Sequence, residues 1–570
     1  MIYRTEHPKP QFMREDWINL NGKWEFISDP GNSGKERGLQ KENAVYEKTI
    51  NVPFCPQSKL SGIGNTDFLN SVWYRREFFL DERQMTKIVR LHFGAVDYDA
   101  EVFVNGQYAG SHRGGYVSFY VDIEKYVVAG RNIVVLHASD NERDRLIPSG
   151  KQSSKYGSYG CFYTRTTGIW QTVWLEFIPK KHIEKFRVYP SVEDQSVTVV
   201  AQLKGCSSLL ISTAFEGNET GSVSVNCEEG TCTATVRLSE KHLWEIGNGR
   251  LYDLTLRYGS DTVKSYFGLR SISYRDKKFY LNGKSVFQRL VLDQGFYPSG
   301  IYTAPFDTEL QGDIEKSIAM GFNGARLHQK VFEERFLYHA DRLGYIVWGE
   351  YPNWGLDHSY ADSVYGILPE WLEEIERDFN HPSIVGWCPF NETWDENGRK
   401  QCDALLSLVY KATKSADPTR PCIDTSGNFH VITDIYDIHD YEQNTEIFKK
   451  SYEKLSIDGT YNERFSNRQM YDGEKPFFVS EYGGTKWTDK DGWGYGWGIL
   501  PDPRSEEEFI ARIKGLTDSI LDNPAIFALC YTQLTDVEQE QNGLYTYERI
   551  AKFEPEKIRA VFSRKAAVED

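Results

Sequence analysis

Residues 322–350 read FNGARLHQKVFEERFLYHADRLGYIVWGE, and they decide the fold of the larger part of the chain. Two short apolar runs, FNGAR and YIVWG, flank a segment in which Phe332, Phe336, Ala340 and Leu343 recur at helical spacing. Strand, helix, strand is the repeating unit of a parallel sheet. Outward from this unit the alternation continues, with strand candidates VFQRLV (286–291), IVGWCP (384–389), PCID (421–424), IYDIH (435–439), PFFVSEY (476–482) and FALCYTQ (527–533). Between them, Leu310, Ile314 and Ile318 mark one apolar helix stripe, Leu405, Leu408, Val409 and Ala412 another, and Phe509, Ile513, Leu516 and Ile520 a third. Eight strands in all close a barrel, so a C-terminal (β/α)₈ TIM barrel is expected over 272–570.

Upstream the period is two. Residues 1–180 hold the runs KIVRLHFGAV, AEVFVNGQYAG, NIVVLHASD and TVWLEFIP between turn signals, which predicts an antiparallel β-sandwich of jelly-roll type. Asn105-Gly106 between VFV and QYAG is a type I′ hairpin signal. Residues 181–271 continue with VTVVAQLK, LLISTAF, GSVSVN, TATVRL and YDLTLRY, at the spacing of a smaller immunoglobulin-like sandwich.

A net charge of −16 repels phosphate backbones and anionic lipid, so neither nucleic acid nor a membrane surface is an expected partner. Aromatic residues make up 14% of the chain, with 14 Trp and 35 Tyr, and flat amphipathic rings suit sugar faces as well as sandwich cores. Nine cysteines without any C-x-x-C pair argue against a disulfide framework and a zinc ribbon, so reduced thiols in a cytoplasmic protein are expected. The opening MIYRTEHPKP has no apolar core of a secretory signal.

In a barrel of this kind chemistry sits where strands end at the C-terminal face. The fourth candidate strand runs into Asn391, Glu392 and Trp394, and the seventh ends in Glu481 followed by two glycines. Asn-Glu pairs occur also at 141–142, 218–219 and 462–463, so the information lies in the preceding strand and the tryptophan that follows. Strand ends four and seven can bring two carboxyls within about 5–5.5 Å across the rim, the separation of a double-displacement glycosidase. One carboxylate attacks the anomeric carbon; the other, kept protonated by its neighbours, serves the leaving oxygen and then activates water.

SVWYRREFFL (71–80), HRGGYVSFYVDI (112–123), TTGIWQTVWLE (166–176), GFNGARLH (321–328), NHPSIVGWCPFNETW (380–394) and FVSEYGG (478–484) together resemble the motifs of glycoside hydrolase family 2. That group holds β-galactosidases, β-glucuronidases and β-mannosidases, and the likeness runs over nearly the whole chain. It implies a retaining exo-glycosidase with Glu392 as acid/base, Glu481 as nucleophile and Asn391 on the sugar 2-hydroxyl. It further implies that Tyr441 contacts the nucleophile and that Arg326 holds it ionised, each with a packing or salt-bridge role as the plainer alternative.

The chain departs from the family pattern at three places. His328 stands one position from the family histidine, Gly349-Glu350 replaces an Asp-Glu pair, and EQNGLYTYER lacks the lysine of the glucuronidase Asn-x-Lys motif after Asn542. The magnesium ligands of some β-galactosidases have no match, so neither metal nor cofactor is expected, and a neutral terminal pyranose, a β-galactoside first, is the expected substrate. Asp293, Trp354, Trp394 and Trp487 follow strand ends and are candidate subsite residues, as is Asp144 of the DNERDR loop, by analogy with an aspartate of this domain in relatives. Two other readings stay open: a family member with another sugar preference (glucuronidase, mannosidase or arabinosidase), and a carbohydrate-binding protein without activity. Oligomeric state is not legible in the sequence.

Overall fold

Asn105 and Gly106 both adopt positive φ (48° and 78°) and join the strands Asp99–Val104 and Gln107–Arg113, as an Asn-Gly I′ turn requires. A computed structural model describes residues 2–395, 398–488, 494–498 and 500–569. The hairpin is the edge of a six-stranded antiparallel sheet that faces a four-stranded one containing Ile88–Phe93 and Val173–Ile178. Trp24, Phe26, Tyr74, Leu91, Val102, Leu136 and Leu175 fill the space between them. This is the jelly-roll sandwich.

The second sandwich pairs a three-stranded sheet that includes His182–Ser191 with a four-stranded one that includes Asp261–Phe267, around Val197, Val199, Ile211, Leu254 and Leu256. Cys227 and Cys232 at the turn between two of its strands form a disulfide. The expectation of reduced thiols therefore holds for seven cysteines and fails for this pair, which a short turn brings together locally. Trp244 leaves this domain, is fully buried, and donates its indole N–H to the carbonyl of Asp341 in the barrel.

The barrel sheet is parallel, in spatial order Ile384–Cys388, Ile346–Glu350, Gly324–Leu327, Gln288–Asp293, Ile526–Thr532, Phe477–Gly483 and Tyr436–Asp440. Seven regular strands thus stand where eight were expected. PCID lies in the fifth position as an extended segment that touches the fourth strand only through the bridges Trp387–Cys422 and Asn391–Ser426. Pro421 has no N–H to give, and the Cys422 N–H goes to the Asp434 carboxylate (2.9 Å), so a local side-chain bond replaces part of the ladder there. Helices Asp307–Ala319, Glu334–Leu343, Asp403–Ala416 and Glu506–Leu521 turn the expected stripes inward, with Ile318, Leu343 and Ala412 only half-buried and two further differences. Phe332 precedes its helix, and Leu408 is exposed while Leu406 takes the inner face.

Inside the barrel Leu290, Leu292, Ile346, Trp348, Phe478 and Phe527 form a packed plug, and Gly386 makes room for the Trp348 ring where any Cβ would collide with it. Tyr116, Val117, Tyr163 and Trp170 of the jelly roll belong to the same apolar cluster as the strand–helix layer of the barrel. Among the described residues no helix is long and apolar enough to cross a membrane.

Where the sandwiches meet, the Arg14 guanidinium bonds Asp261 (2.8 Å) and lies 3.3 Å from Glu176, which also contacts His92 at 3.1 Å. Burial pushes both His7 and His92 down to about 4, so both are neutral in the folded protein at pH 7. A folded-state value below the unfolded 6.5 means that the unfolded chain takes up these protons first, and stability is lost as pH falls from about 6.5 toward 4. The expected loss by pH 5 is on the order of 1–2 kcal/mol per histidine. Urea unfolding at pH 7.5 and pH 5 measures it, and His92→Phe should show a smaller drop than wild type; equal drops would remove His92 as a source.

Candidate active site

Arg326, the last side chain of FNGAR to point inward, is 2% exposed and stands at the centre of the barrel mouth. Its Nε donates to Glu350 (2.5 Å), Nη1 to the Ser480 carbonyl (2.8 Å) and to Glu481 (3.2 Å), and Nη2 to Asn391 Oδ1 (3.0 Å). Burial opposes its charge, but Glu350 and Glu481 hold it protonated. One planar fork therefore ties strands two, three and seven to the end of strand four.

Glu392 and Glu481 face each other. A carboxylate oxygen of each and a ring nitrogen of His439 all lie within 4.8 Å of one another. Glu481 also accepts a 2.5 Å hydrogen bond from the Tyr441 hydroxyl, whose acidity burial and then Glu481 suppress, so the phenol stays a donor. His439 Nδ1 is 2.7 Å from Glu392 Oε1, and Nε2 is 3.4 Å from Glu481 Oε1. Although burial works against it, the charge of Glu481 and the hydrogen bond and charge of Glu392 raise the imidazole above its usual value. Glu392 is correspondingly lowered: burial raises it, and His439, joined by Lys151 and Trp394, more than offsets this. The expectation that its neighbours keep Glu392 protonated is thus corrected, because the group beside it is a basic imidazole. The spacing of the trio also matches that of metal ligands, but the Arg326 fork takes the electrostatic place of an ion there.

Glu392 sits at φ 49°, in the left-handed region, with its N–H bonded to the Ser426 carbonyl (2.9 Å). A non-glycine residue held this way is a strained position that the surroundings must enforce. Asn391 donates its N–H to Asn353 Oδ1 (2.8 Å), and its carbonyl accepts from the Trp354 indole (3.0 Å). Its own Nδ2 is buried without a partner among the described residues, a donor left for a bound molecule. His328 reaches Glu350 (3.1 Å) and lies 4.0 Å from Glu481, so the shifted histidine still lines the site; burial and then Lys151 push it well down, leaving it neutral.

Other expected residues divide. Trp354 and Trp394 line a cavity of about 600 Å³ with Tyr159, Phe162, His358 and Glu392. Asp293 instead accepts the Gly295 N–H with its carboxyl, beside Asp313, Arg549 and Lys330. Trp487 packs on Phe509 and Phe553 of the outer layer, while Trp497 stacks on Tyr441. Asp144 is exposed and spends its carboxylate on the Leu146 N–H of its own turn.

The jelly roll does reach the site, through Lys151. This side chain is 3% exposed, with its ammonium 4.6 Å above the Trp354 ring. Against burial, Cys161 and the carboxylates of Glu540, Glu481 and Glu392 keep it charged. Glu540, fully buried, accepts from Tyr163 of the jelly roll, from the Trp497 indole (2.9 Å) and from Asn542 (3.1 Å). Asn542 in turn accepts from Gln533 (2.6 Å), so its amide is fully engaged.

The family model described as "Glycosyl hydrolases family 2, sugar binding domain" matches residues 18–147, "Glycosyl hydrolases family 2" matches 181–270, and "Glycosyl hydrolases family 2, TIM barrel domain" matches 272–493. A putative β-glucuronidase of Formosa agariphila is 27% identical over 515 residues, covering 85% of this chain and 59% of that protein. A β-galactosidase of Thermoanaerobacter pseudethanolicus is 26% identical over 406 residues, covering 68% and 53%. The chain therefore spans little more than half the length of these relatives. Among solved structures, Lactobacillus rhamnosus β-glucuronidase superposes with a TM-score of 0.81 at 20% identity, over 98% of this chain and all of that one. A β-glucuronidase from Ruminococcus gnavus in complex with D-glucuronic acid gives 0.80 at 18%, over 98% and 99%. With all three family models matched in order along one sequence, the chain belongs to glycoside hydrolase family 2.

Proposed function

We propose that the protein is a retaining exo-β-glycosidase in which Glu481 is the nucleophile and Glu392 the acid/base. The observation that carries this is the approach of the two carboxylates to within 4.8 Å, which fits the roughly 5–5.5 Å of double displacement and leaves no room for the water of an inverting enzyme. Arg326 and Tyr441 aim Glu481 at the anomeric carbon, and the open Nδ2 of Asn391 is free for the sugar 2-hydroxyl. Glu392, unlike Glu481, lines the cavity with Trp354 and Trp394, which makes that cavity the leaving-group side.

For the sugar, a neutral pyranose such as a β-galactoside is the first reading. Four carboxyls (Glu350, Glu392, Glu481 and Glu540) surround the site against three bases (Arg326, His439 and Lys151), so there is no surplus positive charge for a uronate. A β-glucuronide is the second reading, favoured by the Lys151 ammonium, which among the described residues has no carboxylate in direct contact, and by the relatives' names.

Glu481→Gln should abolish formation of a glycosyl-enzyme. Glu392→Gln should lose about 10²- to 10⁴-fold on alkyl glycosides and far less on dinitrophenyl glycosides, with azide rescuing Glu392→Ala on the latter. Near wild-type turnover by Glu481→Gln would end the assignment. Tyr441→Phe removes one hydrogen bond to a charged acceptor, so kcat/KM should fall roughly 10- to 100-fold, read by steady-state kinetics. A nitrophenyl glycoside panel decides the sugar. On the first reading the galactoside leads and Lys151→Met mainly raises KM; a leading glucuronide whose turnover vanishes in Lys151→Met would replace it with the second.

A further inference from the structure

His439 touches both carboxylates of the pair and occupies a prepared socket. Gly427, at φ 91°, lies so close to the imidazole that any Cβ there would fall 2.5 Å from ring atoms. Ser426 Oγ stands 3.0 Å from Nε2 and itself donates to Asp437 (2.6 Å), which leaves it a lone pair to accept an imidazole N–H. Nδ1 addresses Glu392 at 2.7 Å. Each ring nitrogen thus has an acceptor, the arrangement an imidazolium takes.

Resting on the double-displacement reading above, we propose that the catalytic proton is stored on His439 in the free enzyme, passes through Glu392 to the leaving group, and is released by the loss of charge at Glu481.

In the first half-reaction the Nδ1 proton moves to Glu392 Oε1 and Glu392 protonates the glycosidic oxygen. The C1–O bond to the aglycone breaks, the C1–O bond to Glu481 forms, and the aglycone leaves as an alcohol. Glu481 is now an ester and carries no charge. The anion 3.4 Å from Nε2 has gone, so the imidazole holds a proton less tightly at the step that consumes it. Neutral His439 and anionic Glu392 then face the intermediate. Water gives a proton to Glu392 and its oxygen to C1, the ester bond breaks, and the restored Glu481 carboxylate draws the proton back to His439.

Other charges face the ring from each packed element and stay constant through the cycle: Arg326, whose Nη1 is 3.4 Å from Nε2, neutral His328 and Glu350 on strands two and three, and Asp437 on its own strand. Lys151 above Trp354 adds a fixed positive charge near Glu392. Only Glu481 changes charge state by bonding to the sugar, which makes it the switch. His439 is a positioning and proton-holding residue; it need not touch the substrate.

The test is the titration of His439 followed by nitrogen NMR on histidine-labelled full chain, the signal assigned by its loss in His439→Gln. The expected result is an imidazolium at pH 7 in the free enzyme, with a midpoint above 6.5. That midpoint should fall by at least one pH unit both in Glu481→Gln, which needs no substrate, and in wild type trapped with a dinitrophenyl 2-deoxy-2-fluoro-β-galactoside or its glucuronide counterpart. A neutral His439 at pH 7, or a midpoint unmoved by either change at Glu481, overturns the proposal. If neither fluoro-sugar labels Glu481, the double-displacement reading fails instead, and the Glu481→Gln titration still decides the coupling. In kinetics, His439→Gln should move the alkaline limb of kcat/KM on phenyl glycosides while sparing dinitrophenyl ones; a uniform loss with an unchanged pH profile would mark a structural role and count against the proposal.

Discussion

Four bonds from one guanidinium hold the mouth of the barrel together. Glu350 and Glu481 are both buried and both acidic, and without Arg326 between them their repulsion in a poorly solvated site would cost several kcal/mol. Because the donors of Arg326 lie in one plane, the carboxylates and the Asn391 amide that they reach are set at fixed angles to one another. A lysine would supply the charge without the angles. The separation of the two catalytic candidates, the direction of the Asn391 amide and the seat of the Glu481 oxygens all follow from this contact.

Around the fork the protein accepts unfavourable local states. The left-handed backbone of Glu392 and, among the described residues, the open donor of Asn391 and an ammonium without a direct acid partner at Lys151 each cost free energy in isolation. They cluster within one mouth, while the plug of Trp348, Phe478 and Phe527 beneath them is apolar and closely packed. Stability is concentrated below and chemistry above, with strand ends as the border.

Residues on strand ends were legible because strand period and order suffice to place them: Arg326, Asn391, Glu392, Tyr441 and Glu481 converge as their positions imply. His439 carried a similar signal, at the end of the strand Tyr436–Asp440 and two residues before Tyr441, and its place at a strand end could have found it. Loops were less readable. Trp487 and Trp497 look alike in a glycine-rich stretch, and only packing against Phe509 and Phe553 sends the first outward. Lys151 sits among turn residues with no periodicity, and its approach depends on how two domains dock. The fifth strand failed for a local reason, since Pro421 has no N–H and the Asp434 side chain takes that of Cys422.

The bond between Tyr163 and Glu540 links the jelly roll to the stretch after the last barrel strand, and Lys151 belongs to the same crossing. The cavity itself is shared in the same way, since Ser149, Tyr159 and Phe162 of the jelly roll line it beside Trp354, Glu392 and Trp394 of the barrel. Such a front domain is no exchangeable cassette. A lineage that swapped it for another sandwich would keep both acidic groups yet lose a wall of the cavity beside Glu392, so shifts in what that cavity accepts should arise as readily from changes in the first third of the gene as from changes in the barrel.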